Sequence, residues 1–362
     1  MIQQSDRILT IGPVPKAKGG MASVIAFLAP MYTPFHLVVT YKETSKIGKV
    51  FLFVNAILKT FYYCVFKQID VLHIHTANYT DFYRNSVLMY IGKMFNKRVL
   101  LHIHGGLFNE FYSAHPGYVA SICRSADALI TVSSTFVKML RQYELNKHIY
   151  CLPNCVEIPA LYRMEQHHDK LRLVFMGRIS EIKGIYDVLE CLHKYKELLQ
   201  DKIELHIGGV GDEKRFQKMI TNYNLSSMIV QHGWVNGEQK EKLFCSSDVF
   251  IHPSHFESSG IAILEALSYG LPVITTLIGG IPDFFEDKKS GVAVTPGNVD
   301  EIYEAILSFV NDRHCILQMG EHGRAIARQF TPSQIEHQLQ NIYAKYIQNA
   351  CESENAIKKQ LT

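Results

Sequence analysis

The strongest constraint on this chain is a rhythm. Short apolar runs bounded by turn residues alternate with longer stretches of helical periodicity, the pattern of strand-helix-strand units and a parallel sheet. A first series predicts strands over 7–11, 36–40, 71–75, 99–104, 128–132 and 148–152, and ends at Pro153-Asn154. A polar stretch over 159–170, carrying Glu165, Gln166, His167, His168 and Asp169 in succession, reads as a linker. The second series predicts strands over 171–176, 204–208, 229–232, 249–252 and 273–275. With 362 residues to accommodate, two α/β domains follow, each a doubly wound Rossmann-like sheet, and two such domains face a central cleft. We assign 1–160 to the first, 161–330 to the second, and 331–362 to a C-terminal helix and polar tail frayed over 351–362.

Composition narrows the function classes. Hydrophobic residues make up 47% and charged residues 20%, without low-complexity tracts, so the chain is expected to fold throughout apart from its tail. The net charge of +3 conceals a polarity: residues 1–160 hold sixteen Lys and Arg against eight Asp and Glu, or +8, leaving −5 for the remainder. A basic half attracts nucleic acid, an anionic membrane or a phosphorylated substrate. The absence of an Arg-rich run or zinc-finger spacing argues against nucleic acid. Eight scattered cysteines without a CxxC pair read as reduced thiols, and Asp6 and Arg7 near the start leave no room for a signal core, so a cytoplasmic location is expected. The apolar stretch 50–66, interrupted by Asn55 and Lys59, falls short of the ~20 residues a spanning helix needs. It leaves two placements open: a helix packed on a sheet, or a peripheral membrane contact favoured by Lys42, Lys46, Lys49, Lys67 and the aromatics Phe61, Tyr62 and Tyr63.

Ligands of open parallel sheets bind at the carboxyl ends of the strands, and the candidate chemistry sits there. The strand 171–176 runs into Gly177-Arg178-Ile179-Ser180-Glu181-Ile182-Lys183-Gly184, where glycines admit close backbone approach and Arg178 and Lys183 suit a diphosphate. A surface Arg and Lys at an ordinary turn would look the same. A second turn, Gly208-Gly209-Val210-Gly211-Asp212, does not match the dinucleotide fingerprint. In the run from His252 to Leu267, Glu257 stands in a loop, and Ser259, Gly260 and Ile261 open a helix whose free amides favour phosphate. Glu265 lies further along it, between apolar neighbours Leu264, Ala266 and Leu267, and a carboxylate in such a setting needs partners such as sugar or ribose hydroxyls. The bland alternative makes Glu257 a helix cap and Glu265 a solvated face.

Arg178, Lys183, the spacing Glu257 to Glu265, Gly270-Leu271-Pro272-Val273 and Gly279-Gly280 closely resemble the retaining glycosyltransferases of family 4, which have the GT-B fold. Gly19-Gly20, the run Asp70 to His75, His102-Ile103-His104-Gly105, Thr131-Val132-Ser133, Pro153-Asn154 and Gly233 extend the resemblance over nearly the whole chain. The resemblance implies that Arg178, Lys183 and the amides of Ser259, Gly260 and Ile261 bind the diphosphate of a nucleotide sugar. It further implies that Glu265 holds the ribose, that Glu257 lies against the transferred sugar, that His104 is the active-site histidine of the first domain, and that Gly19 and Gly20 close over the phosphates. Ser259, where the family usually has Phe, and Cys155, where an Asn-Gly pair is common, depart from the pattern and bear on local packing.

His73, His75 and His102 crowd the neighbourhood of His104, but alternation on the strands and the lack of nearby carboxylates argue against zinc, and no metal or other cofactor is expected. The resulting expectation is a metal-independent hexosyltransferase that passes a sugar from a nucleotide-diphosphate donor to a glycan acceptor, lipid-linked, in cell-surface polysaccharide synthesis. Two competitors share the architecture: a sugar-nucleotide epimerase, and a noncatalytic binding subunit, against which the joint presence of His104, Arg178, Lys183, Glu257 and Glu265 argues. A nicotinamide dehydrogenase is disfavoured because Gly12, Gly19 and Gly20 lack the GxGxxG spacing.

Overall fold

The computed structural model describes residues 1–17, 19–160, 162 and 169–360, with the backbone alone over 348–360. Two compact units emerge, Met1–Cys155 with Pro332–Thr362, and Val156–Thr331. They are the two Rossmann-like units expected of the GT-B class, each with its own six-stranded sheet.

Unit 1 contains β1 (Ile8–Pro13), β2 (His36–Tyr41), β3 (Val71–Thr76), β4 (Arg98–Ile103), β5 (Ala128–Thr131) and β6 (Ile149–Cys151). Its helices are α1 (Gly20–Leu28), α2 (Lys46–Phe66), α3 (Thr80–Met94), α4 (Phe108–Ala114), α5 (Pro116–Ser125) and α6 (Ser134–Gln142). All strand pairs are parallel, in the order β2-β1-β3-β4-β5-β6. Every residue of β1 and β3 is buried, as a sheet covered on both faces requires. One face carries Leu9, Ile11, Leu72 and Ile74 into a core with α2, α3 and α5, while Ile8, Val71, Leu100 and Ile130 face the other side.

Unit 2 contains β7 (Leu171–Met176), β8 (Ile203–Gly208), β9 (Ile229–Gly233), β10 (Val249–His252), β11 (Val273–Thr275) and β12 (Gly291–Ala293). Its helices are α7 (Ile185–Lys194), α8 (Lys196–Leu199), α9 (Glu213–Asn222), α10 (Gly237–Cys245), α11 (Ile261–Ser268), α12 (Val299–Asn311) and α13 (His314–Ala327), and α14 (Pro332–Gln360) then closes the chain. The sheet runs β12-β11-β10-β7-β8-β9, again parallel. Along β7 the period of two is literal: Leu171, Leu173 and Phe175 enter one core, Val174 and Met176 the other. Each such side chain contributes about 1.5–3 kcal/mol by leaving water.

The eleven expected strands appear with ends shifted by a residue or two, and β12 is an addition to them. The domain limits differ more. The division falls at Cys155–Val156 instead of residue 160, and the expected C-terminal helix, present as α14, belongs to unit 1. Ile335, Leu339, Ile342, Tyr343, Tyr346 and Ile347 recur at helical spacing and bury against Ile8, Val71, Leu100 and Ile130, so α14 covers the second face of the unit 1 sheet. Its backbone stays helical to Gln360 through the segment expected to fray. Most of the linker assigned to 159–170 lies outside the described residues.

Strand order fixes where loops can meet a ligand. In unit 2 the chain reverses direction of growth between β7 and β10, and in unit 1 between β1 and β3. Those are the switch points at which an open parallel sheet leaves a crevice.

Candidate active site

At the unit 2 switch point the loops after β7 and β10 lie against each other. The turn after β7 is zipped to the turn after β8: the Ile179 amide donates to Val210 (3.0 Å) and the Asp212 amide donates back to Ile179 (3.0 Å). A Cβ on Gly209 would stand 1.9 Å from the Gly177 carbonyl oxygen, so this seam admits no side chain there. On the other flank the His255 amide donates to the Ile182 carbonyl (2.9 Å), which draws the Pro253–Glu257 loop over the Glu181–Lys183 turn.

The contact brings Lys183 Nζ onto Glu257 Oε1 as an ion pair. Glu257 is nearly buried, with 10% of its side chain exposed; His252 Nε2 lies 3.3 Å from the same oxygen, and the Ser254 hydroxyl donates to it at 3.4 Å. Burial alone would raise the Glu257 pKa, yet its contact with His252 and the Lys183 charge outweigh burial and hold the carboxyl at about 2. The His252 ring, stacked on Phe175 at 4.9 Å, is itself kept neutral by burial against the opposing pull of Glu257. Glu257 is thus a fixed anion that holds a lysine. Gly279 completes the loop: at φ +56°, its missing Cβ would sit 1.8 Å from the Glu257 carbonyl oxygen.

Arg178 is exposed on the same turn as Lys183. Ser259 and Gly260 precede α11, with Gly260 at its N-cap (φ 66°), and Ile261 begins it. The first amides of a helix lack intrahelical acceptors and point beyond its N-terminus. Glu265 is half-buried on this helix, but its partner belongs to the protein: Lys240 of α10 donates to Oε1 at 2.7 Å. From sequence alone that carboxylate falls to ligand hydroxyls. Between Glu238 and Glu241 on a polar helix, Lys240 is indistinguishable in sequence from a solvated lysine; only the packing of α10 beside α11 distinguishes it.

The remaining candidates lie in unit 1. Gly19 (φ +127°) caps α1 at the end of the β1 loop, and both Gly19 and Gly20 are exposed, with open space where a Cβ would go. His104 follows β4, its amide donating to the Thr76 carbonyl at 2.8 Å. The β3–β4 register sets His75 opposite His102 and builds a ladder of four imidazoles. His104 Nε2 and His75 Nδ1 share a proton at 2.9 Å, as do His73 Nε2 and His102 Nδ1 at 3.1 Å, while His73 Nδ1 meets the Tyr343 hydroxyl of α14 at 2.5 Å. The rings within each hydrogen-bonded pair are nearly parallel, and the two pairs lie against each other at a tilt, His102 against His104 with ring centroids 4.0 Å apart and 31° between planes, His73 against His75 at 4.3 Å and 32°. Burial pushes His104 down to about 3 and His73 likewise, and holds His75 and His102 well below the ordinary value, so the ladder is neutral. One ring nitrogen from each of His73, His75 and His102 lies within 4.8 Å of the others, and His75 Nε2 and His102 Nε2 have no protein partner. In the sequence these histidines share only a neighbourhood; their mutual hydrogen bonds are a product of register.

Residues 163–326 match the family described as Glycosyl transferases group 1. An uncharacterized glycosyltransferase of Methanocaldococcus jannaschii is 32% identical over 135 residues, 37% of this chain and 34% of that protein, so the match spans about a third of the relative. An uncharacterized 41.2 kDa protein in the cps region of Klebsiella pneumoniae is 25% identical over 329 residues, 85% of this chain and 86% of the relative. Among solved structures, Anabaena HepE in complex with UDP and glucose superimposes with a TM-score of 0.73 at 17% identity, covering 93% of this chain and 99% of the other. A lipopolysaccharide outer core galactosyltransferase in its apo form gives 0.69 at 16%, covering 93% and 99%.

Proposed function

We propose that this chain, whose residues 163–326 match the glycosyl transferases group 1 family, moves a hexose or related sugar from a nucleotide-diphosphate donor to an acceptor hydroxyl, with the anomeric configuration retained. The observation that carries this reading is the Lys183–Glu257 contact at the unit 2 switch point, flanked by Arg178 and the N-terminus of α11. Departure of a diphosphate concentrates negative charge on its oxygens. Arg178, Lys183 and the amides of Ser259, Gly260 and Ile261 are preorganised to stabilise that charge most in the transition state. Glu257, ionised at any working pH, orients Lys183 and hydrogen-bonds the transferred sugar. Glu265, steadied by Lys240, accepts from the ribose hydroxyls. His104 is neutral and offers a ring nitrogen to a sugar hydroxyl without adding charge, and Gly19 and Gly20 close over the phosphates. The acceptor loses its proton to an oxygen of the leaving diphosphate on the same face.

The reaction runs without a metal, because cationic side chains and helix amides take the role a cation would fill. UDP-sugars are the first donors to test, given the likeness to a structure holding UDP and glucose. The acceptor is a lipid-linked glycan of cell-surface polysaccharide synthesis, met at the cytoplasmic face of a membrane; the likeness to a lipopolysaccharide core transferase and the basic first half support this. The test is a screen of UDP-, GDP- and ADP-sugars for hydrolysis and thermal stabilisation. Mass analysis on lipid-linked acceptors and NMR of the product anomer follow, with and without EDTA. A changed donor sugar without transfer means an epimerase, an inverted anomer removes retention, and loss of turnover in EDTA restored by a divalent ion removes metal independence.

A further inference from the structure

Among the described residues, one helix is long and apolar enough to cross a membrane, α2, yet only 17% of its apolar window is buried in the protein. Two opposite stripes run along it. Ala56, Thr60 and Cys64 are buried against the unit 1 core, beside Val38 of β2. On the other side Ile47, Phe51, Val54, Leu58, Phe61 and Val65 stand exposed at helical spacing, with Phe51 at 71% and Phe66, just beyond, at 68%. A soluble helix that covers a sheet needs only the first stripe. The second continues onto α3, where Tyr83, Val87, Tyr90 and Met94 recur at the same spacing and Met94 is 77% exposed. The stripes meet where Phe61 of α2 packs edge-on against Phe95 at the end of α3 (ring centroids 5.2 Å). A continuous apolar face over two neighbouring helices exceeds the scattered exposure normal for a protein surface.

We propose that this α2–α3 face lies in the headgroup region of an anionic lipid bilayer, with α2 parallel to the membrane plane. It does not span: a transmembrane α2 would strip Ala56, Thr60 and Cys64 from the core they complete. Charge selects the occupant. Residues 42–67 hold Lys42, Lys46, Lys49, Lys59 and Lys67 against the single carboxylate Glu43, the composition of an interfacial helix on anionic lipid. A second copy docked through this face would set these lysines against their own kind. The tyrosines 62, 83 and 90 suit an interface, where an apolar ring and a polar hydroxyl are both satisfied. The placement deepens the proposed reading of a membrane-borne acceptor and rests on it for its purpose, while its geometry is tested apart from catalysis.

Flotation with vesicles of phosphatidylcholine alone, and of phosphatidylcholine with 3:1 phosphatidylserine, tests the face on the full chain. The wild type is expected to float with the anionic vesicles at low salt, at least tenfold less with the neutral ones, and less at high salt. Phe51→Glu with Leu58→Glu on α2, and separately Tyr90→Glu with Met94→Glu on α3, should each lower the bound fraction at least tenfold. Both should keep the thermal transition and any donor hydrolysis of the wild type. If an acidic pair melts, Val54→Ser with Leu58→Ser replaces it. Recovery in the soluble fraction with both lipids, undiminished flotation of both helix variants, or a concentration-dependent dimer abolished by them would overturn the proposal. Flotation without turnover of any donor would leave the face standing and remove the catalytic reading instead.

Discussion

Replacing Glu257 by Gln keeps the shape of a nearly buried side chain and removes one negative charge from its contact with Lys183 and His252. In the folded protein this carboxyl titrates at about 2 against an ordinary 4.5. With about 1.4 kcal/mol per pH unit of difference, ionised Glu257 contributes on the order of 3 kcal/mol of stability at neutral pH. The depressed folded pKa fixes the sign: the contribution is whole above pH 4.5 and is lost as the pH falls toward 2. Glu257→Gln should therefore unfold about 2–3 kcal/mol more easily at pH 7, with the gap closing steadily below pH ~4.5. Trp234 is the sole tryptophan and lies in unit 2, so its fluorescence during urea unfolding follows the relevant transition. A wild-type and variant difference that stays constant from pH 7 to 3, or is absent at pH 7, would show that the Lys183 and His252 contacts do not hold the charge as argued.

Arg178→Ala and Lys183→Ala should each weaken donor binding by about ten- to a hundredfold, the loss of one charge-assisted hydrogen bond; wild-type affinity in a titration with UDP would remove that residue from the phosphate site. Gly279→Ala forces a Cβ to within 1.8 Å of the Glu257 carbonyl oxygen at φ +56°, so a melting point lowered by several degrees together with lost donor binding is expected, and an unaltered variant would refute the close approach. In unit 1, four imidazoles kept neutral by burial mean that the unfolded chain takes up protons the folded chain refuses below pH ~6.5. Hydrogen exchange of peptides over 71–104, corrected for its intrinsic pH dependence, should accelerate between pH 7 and 5, and unchanged protection would contradict the neutral ladder. His75→Gln should lower kcat more than it raises KM, since it removes the partner that orients His104 Nε2 (2.9 Å); an unaltered kcat and pH profile would show that His104 needs no orientation.

The sequence by itself determined what depends on neighbours along the chain. Apolar runs and turn residues marked eleven strands, and glycines with Arg178, Lys183 and Glu257 marked loops at strand ends, because burial and backbone freedom leave a local period and a local composition. What only the tertiary structure decided were the meetings of distant residues. The order β12-β11-β10-β7-β8-β9 sets β10 beside β7 and so lays Glu257 on Lys183; no spacing in the sequence encodes that adjacency. Lys240 reaches Glu265 because α10 packs beside α11, and register turns histidines on β3 and β4 into one hydrogen-bonded ladder. The same holds for α14, whose apolar stripe was visible while its target was not. Periodicity reports that a face is covered, but which surface covers it is settled by the pairing of whole elements, and for α2 the second apolar face became visible only once the first was accounted for.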